Sequence, residues 1–438
     1  MIRGFPSRMV KTLAESLGPV RSMGMSWVRS RAGRALPLMA LLAALPATRA
    51  GATEPRPSLD LDRMARRDGR WIAPLATGGD AVLTLDSDLQ RAATKILTNA
   101  NPVRGGMVLL DAHSGKILAW AETARDGRRH QVLTTSRVPA ASVFKLVTTA
   151  ALFETTSLSP KEQVCISGGA HGIERRHLDP PRGEGVECSP FAYAIGYSKN
   201  AVFAQLATHR LLRNGLLDTA QSLGFNGLVP FDVDVPVGTL EVPYGDLDFA
   251  RTAAGFQGST LSPLGGAYLA SVIARGGQAI RIRVTEPSPG SITDDADKAN
   301  SNENEDTSSA DDAQVVGRVL KPLTAARLRR MMEVTVRSGT CRRAFSDPSG
   351  RPYLGNMRVS GKTGTLRPES SDGMTSWFIG FAPSENPEVV VSVMLENGSV
   401  WRHKANELAR DLLRSYFHAH GRPWISDPLA NGEAPVPR

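Results

Sequence analysis

Beyond its first fifty residues this 438-residue chain has almost no excess charge, no second long apolar run, no internal repeat and no tightly spaced metal ligands. Each absence excludes something. Residues 1–50 hold eight Lys or Arg against Glu15 alone, so the overall +9 leaves only +2 for the remaining 388 residues. A near-neutral body argues against a nucleic-acid partner. No later run reaches the ~20 apolar residues that span a bilayer, so the body is expected to be soluble outside the inner membrane. Hydrophobic residues at 41% and charged residues at 22% are ordinary for a globular protein, and the length supports a large core.

What is present begins with a leader. Arg29, Arg31 and Arg34 precede an uncharged run from Ala35 to Thr48, and small residues follow at Ala47, Ala50 and Ala52. This is the pattern of an export signal, with an uncleaved N-terminal anchor as the alternative and Met23 or Met25 as other candidate starts. Residues 1–50 are therefore expected to be a signal peptide or anchor, and 51–78, rich in Pro, Gly and Arg, a linker. Export places the body in the periplasm or another extracytoplasmic space. Oxidising conditions there make Cys165–Cys188 a candidate disulfide. His171 and His177 lie between these two cysteines, so zinc and free thiols stay open as alternatives, though the spacing lacks the paired ligands of zinc motifs. Cys341 reads as a buried small residue. Residues 287–314 are acidic and polar with nothing to bury, hence a disordered surface insert. The tail 422–438 is proline-rich and reads as flexible.

Between these segments the pattern is β-rich at both ends and helical in the middle. AVLTLD (81–86) alternates like a strand, and a helix follows over 87–100, capped by Ser87 or Asp88. Strands are expected at 106–112 and 116–122 and, near the other end, at 357–365, 376–383 and 388–397. A buried helix is expected over 141–156 and others near 199–213, 215–222, 260–275, 323–336 and 403–417, with Gly265-Gly266 and Gly276-Gly277 interrupting or ending the one over 260–275. The expected fold is α+β: an antiparallel sheet built from both chain ends, flanked by helices, with an inserted all-helical subdomain over about 150–275. The catalytic domain is bounded at 79–421.

Three short motifs carry the chemistry: Ser142-Val-Phe-Lys145, Ser198-Lys-Asn200 and Lys362-Thr-Gly364. Each alone is weak, and helix caps or a plain hairpin would explain each separately. Ser142 and Lys145, three apart at a helix start, share one face. A serine hydroxyl becomes a useful nucleophile when a neighbour takes its proton, and lysine can do so only when neutral. Burial and a second cation, here Lys362, favour the neutral form. Ser198 can pass a proton to a leaving amine, and the Asn200 amide can hold a peptide group at both its donor and acceptor ends. Lys362 and Thr363 suit a carboxylate, while Gly361 and Gly364 leave room for a substrate beside the strand. A phosphate-binding loop ending in Gly361-Lys362-Thr363 needs a glycine at 356, where this chain has Asn356.

Taken together the three motifs resemble the transpeptidase domain of penicillin-binding proteins. Longer segments resemble it too: AVLTLDSDLQRAA, GGMVLLDAHSGKILAWAE, VPAASVFKLVTTAALFE, YSKNAVFAQLATHRLLRNGLLDTAQSLGF, GFQGSTLSPLGGAYLASVIARGG, VRSGTCRRAF, VSGKTGT and SWFIGFAP, over roughly 80–420. The resemblance implies the β-lactamase/transpeptidase-like fold. It implies Ser142 as acylated nucleophile, Lys145 as base and Ser198 as proton relay. Asn200, Lys362, Thr363, Gly364 and Thr365 would bind substrate, with the Ser142 and Thr365 N–H groups facing the oxyanion. The substrate implied is the D-Ala-D-Ala end of a peptidoglycan stem peptide, cross-linked to a neighbouring stem. β-Lactams are implied as covalent inhibitors and cell-wall synthesis proteins as further partners, with no metal or organic cofactor. One departure is Ala141 where the family often has glycine before the nucleophile, which is expected to tighten the turn. Alternatives on the same fold are a D,D-carboxypeptidase, a β-lactamase or a catalytically idle β-lactam-binding scaffold. The class A Glu-x-x-Leu-Asn pattern is absent between Ser198 and Lys362, and Ser198-Lys-Asn200 replaces the class D Ser-x-Val.

Overall fold

The computed structural model describes residues 59–127, 131–287, 314–367, 373–400 and 402–422. The expected leader, the insert from 288 to 313 and the tail from 423 onward lie outside the described residues.

The first strands overturn one expectation. β1 (Ala65–Arg67), β2 (Arg70–Pro74) and β3 (Asp80–Val82) form a three-stranded antiparallel sheet, so residues 59–78 are not a linker. The Asp68-Gly69 pair, both at positive φ, reverses the chain between β1 and β2. Gly and Pro here punctuate hairpins, and Leu59 and Ala73 are buried in the main core. Strand β3 is also shorter than AVLTLD. Asp86 leaves it to cap α1 (Ser87–Ala100), accepting from the N–H of Asp88 at 2.9 Å and of Leu89 at 2.8 Å. The cap is thus neither Ser87 nor Asp88; Asp is among the best N-caps.

β4 (Arg104–Asp111) and β5 (Ile117–Ala124) follow as a hairpin, then the two-residue β6 (Val138–Pro139), a 3-10 turn over Ala141–Phe144 and α2 (Lys145–Thr155). The middle region is not all-helical. β7 (Gln163–Ile166) and β8 (Glu187–Pro190) pair as a ribbon before α3 (Asn200–Arg210) and α4 (Arg213–Ser222). β9 (Gly238–Leu240), α5 (Asp246–Ala253) and β10 (Ser259–Leu261) come next, with β6, β10 and β9 forming a second small sheet. β7, β8, β9, α5 and β10 are three to eight residues long, too short for a hydrophobic period to register.

α6 (Pro263–Ala274) starts with Pro263 in its first turn and the Ser262 hydroxyl accepting from Gly265 N–H. Gly265 and Gly266 neither break nor end it. A Cβ at Gly265 would meet Val237 O at 2.6 Å, and one at Gly266 would meet Ser392 Oγ at 2.6 Å, so the pair lets the helix lie close against its neighbours. β11 (Gln278–Ile280) pairs with β12 (Val315–Arg318), and α7 (Pro322–Arg337) and α8 (Arg342–Phe345) lead to β13 (Ser360–Leu366), β14 (Met374–Ala382), β15 (Val389–Asn397) and α9 (Ala405–Ala419).

The central sheet has the order β13-β14-β15-β4-β5, antiparallel throughout, so the two chain ends meet at β15 and β4 in register from Val389–Asp111 to Glu396–Arg104. α6 packs on one face, joined in the same core by α2; α1 and α9 cover the other. Both faces being covered, β14 reads as a continuous apolar run, with Trp377, Ile379 and Phe381 in one core and Phe378 in the other. Each such side chain contributes about 1.5–3 kcal/mol by leaving water. β13 is left as an edge strand. Among the described residues no helix is long and apolar enough to cross a membrane.

Candidate active site

The turn that carries Ser142 is held from three sides. Upstream, Pro139 pairs with Thr260 and Ala140 N–H donates to Ser259 O at 3.1 Å. Ala141 then adopts φ +50°, a left-handed backbone that costs a residue with a Cβ about 1–2 kcal/mol. Glycine would take this conformation freely, so the alanine departure is a strained one. From the second side comes Gly255, just past α5, at φ +81°; a Cβ there would lie 2.1 Å from Ala141 O. From the third, Trp377 Nε1 donates to Pro139 O at 2.9 Å.

Ser142 and Lys145 face each other across one turn, Oγ to Nζ at 2.7 Å. Lys145 is fully buried and also donates to Ala254 O at 2.6 Å, with Nζ 5.7 Å from the centre of the Phe203 ring. Burial above all, and then the charge of Lys362, hold its pKa well below the usual lysine range. A neutral amine that donates to Ala254 keeps a lone pair for the Ser142 proton.

The second motif is not an N-cap in the usual sense. The cap of α3 is Lys199, without a side-chain cap bond, and Asn200 is the first helical residue. Ser198 sits at φ +53°, another left-handed non-glycine residue. Its hydroxyl accepts from Lys362 Nζ at 3.1 Å, and Asn200 Nδ2 donates to Ala170 O at 2.7 Å. Thr340 N–H donates to Gly196 O at 3.1 Å, tying this loop to the end of α7.

The third motif lies on edge strand β13. Lys362 is fully buried, and its pKa is lowered to about 7 by that burial. It donates to Ser198 Oγ and to Thr363 O, the latter at 2.7 Å. Thr363 Oγ1 meets Thr340 Oγ1 at 2.6 Å. A Cβ at Gly364 would lie 3.3 Å from Ala141 Cβ and 3.4 Å from Ala140 O, which places β13 directly against the turn that carries Ser142. Thr365, the next residue, is exposed.

The hydrogen bonds thus form two groups, Ser142 with Lys145 and Ser198 with Lys362 and Thr363; the charge of Lys362 acts on Lys145, and Gly364 abuts Ala141. Among the described residues no carboxylate hydrogen-bonds to Ser142, Lys145, Ser198 or Lys362. Sequence reading missed Ala254, Gly255, Thr340 and Trp377. Ala254 and Gly255 follow a helix too short to be seen, and the contribution of Ala254 is a backbone oxygen common to every residue. Cys165 and Cys188 are joined as a disulfide, so neither sulfur is a zinc ligand; Cys341 is free and buried, its thiol pushed up to about 12 by burial. Among the described residues no group of three or more His, Cys, Asp or Glu is placed to hold a metal.

The chain was compared with known proteins. The family model for the penicillin binding protein transpeptidase domain matches residues 105–414. The peptidoglycan D,D-transpeptidase PbpA of Mycolicibacterium smegmatis is 26% identical over 381 residues, covering 75% of this chain and 71% of that protein. Among solved structures, the D,D-transpeptidase domain of a peptidoglycan glycosyltransferase from Eggerthella lenta superposes with a TM-score of 0.60 at 23% identity, over 79% of this chain and 85% of that one. The imipenem acyl-enzyme complex of penicillin-binding protein A from Mycobacterium tuberculosis gives 0.59 at 22%, over 78% and 80%. The last two share the fold.

Proposed function

The chain belongs to the penicillin-binding protein transpeptidase family, and from that premise we propose that it is a serine-type peptidoglycan D,D-transpeptidase with Ser142 as its nucleophile. The observation that carries this reading is the 2.7 Å contact between Ser142 Oγ and the amine of a fully buried Lys145 that bonds to no carboxylate among the described residues. Ser142 attacks the carbonyl of the penultimate D-Ala while Lys145 takes the hydroxyl proton. The Ser142 and Thr365 N–H groups face the developing oxyanion. Asn200 holds the substrate amide, and Lys362 with Thr363 meets the terminal carboxylate. The C–N bond then breaks. The departing D-Ala amine takes a proton through Ser198, whose hydroxyl touches Lys362. An amine of a neighbouring stem attacks the acyl-enzyme, forms the cross-link and frees Ser142.

A β-lactam enters the same sequence, but its leaving nitrogen stays tethered. An adduct that persists separates this reading from a β-lactamase, which would release it by hydrolysis. The setting follows from the substrate: the catalytic body works outside the cytoplasmic membrane, in the periplasm, beside other cell-wall synthesis proteins.

Labelling with a fluorescent penicillin tests the assignment. Wild type should carry one adduct stable over many minutes, and Ser142→Ala none. Rapid release would make the protein a β-lactamase, and an unlabelled wild type an idle scaffold.

A further inference from the structure

Between Ser198 and Asn200 stands a residue that the reaction does not use. The Lys199 ammonium pairs with the Glu187 carboxylate and donates to Ser189 Oγ at 3.2 Å. The Lys199 side chain is 14% exposed and that of Glu187 68%, so the lysine is held against the protein while its partner lies at the surface of the ribbon. Glu187 and Ser189 flank Cys188 on β8, so they share the face opposite to it. Cys188 is bonded to Cys165, directly across the ribbon on β7. Two further contacts join the same ribbon to α3: Gln205 Nε2 donates to Cys165 O at 3.3 Å, and Asn200 Nδ2 donates to Ala170 O, four residues past the end of β7. β8 then runs through Pro190 into the turn that carries Ser198.

We propose that the disulfide-closed ribbon β7–β8 positions the Ser198–Asn200 segment of the active site, with Lys199 as the positioning residue that transmits it. The inference rests on the transpeptidase reading above and adds to it a structural arm outside the three motifs. Ser198 needs such an arm. A non-glycine residue at φ +53° persists only where its surroundings over-determine it. Thr340 and Lys362 hold this loop from the α7 and β13 side; Lys199 holds it from the ribbon side. An isolated two-stranded ribbon is marginal in water, and the cross-strand bond turns this one into a firm anchor. Lys199 never meets the reacting atoms in this scheme. It fixes where the Ser198 hydroxyl and the Asn200 amide stand.

The test measures second-order acylation by fluorescent penicillin and steady-state turnover of a D-Ala-D-Ala peptide in the full chain. Lys199→Met should lower both by about tenfold, a displacement effect on the reacting groups, with the thermal midpoint little changed. Lys199→Arg, which keeps the pair with Glu187, should recover to within about threefold of wild type. The Cys165→Ser/Cys188→Ser variant should fall by a similar factor, and adding Lys199→Met to it should cost nothing further, because both changes cut one tie. Wild-type acylation in Lys199→Met, or losses that multiply in the combined variant, would overturn the proposal. If the cysteine variant does not fold, Glu187→Gln with Ser189→Ala replaces it and must reproduce the loss. A wild-type protein that penicillin does not label would instead defeat the transpeptidase reading itself.

Discussion

Lys145 and Lys362 are both fully buried, and each lowers its cost by giving up its proton more easily than lysine in water. The chemistry asks opposite things of them. In the proposed reaction Lys145 works when neutral, and Lys362 attracts a carboxylate when charged. Acylation by a β-lactam should therefore rise with pH as Lys145 deprotonates and fall again above about 7, as Lys362 loses its proton. A stopped-flow pH profile checks this. Lys362→Arg, which stays charged across the range, should be slower overall yet lack the alkaline fall; an unchanged fall would assign it to another group. Ala141 allows a second residue-scale prediction. At φ +50° the alanine pays a left-handed cost that glycine avoids, while glycine loses more chain entropy on folding. The difference favours Ala141→Gly by about 0.5–1 kcal/mol, visible as a higher midpoint in urea unfolding. A lower midpoint would mean that the alanine methyl contributes packing worth more than the strain.

The elements matter by what they press against the nucleophile turn. β14 does so through one bond, Trp377 Nε1 to Pro139 O. Trp377→Phe keeps most of the buried apolar area but leaves that carbonyl unpaired, so it should destabilise by about 1–3 kcal/mol. It should also slow acylation by more than the stability loss explains at temperatures where the protein stays folded. Calorimetry beside penicillin labelling separates the two effects. The same elements show what the sequence could disclose. The long strands β4, β14 and β15 and the helices α1, α7 and α9 are apolar over enough residues to be read directly, whereas the three motifs sit elsewhere, at the starts of α2 and α3 and on β13. β7, β8, β9 and α5 are short, and their conformations are imposed by neighbours, so a window of hydrophobicity passes over them. Asp86 was overlooked as a cap because Ser87 and Asp88 are equally good cap types one and two places along. Lys199 and not Ser198 caps α3 for a related reason: Ser198 takes a positive φ in a loop held by Thr340 through Gly196 and by Lys362, 164 positions from Ser198.

At the scale of the whole molecule, an active site built on buried lysines sets function against stability. The linkage for Lys362 runs in one direction. Its folded pKa of about 7 lies below the unfolded value of 10.5. Between those pH values the unfolded chain holds a proton that the folded chain has released, so folding becomes more favourable as pH rises through the window. Below pH 7 both states are protonated and the folded state bears the full burial cost. The contribution has a slope of up to about 1.4 kcal/mol per pH unit, and Lys145, depressed in the same direction, adds to it with the same sign. Replacing Lys362 by a buried apolar residue of similar length should then stabilise the protein while ending its activity, as replacements of buried charges often do. Lys362→Met should gain about 1–3 kcal/mol at pH 7, show a shallower rise in stability between pH 7 and 8.5, and fail to acylate with penicillin. Urea unfolding at the two pH values decides it. A variant less stable than wild type at pH 7 would mean that the bonds from Lys362 to Ser198 and Thr363 outweigh the cost of burying its charge, and the cation would then belong to the fold as much as to the site.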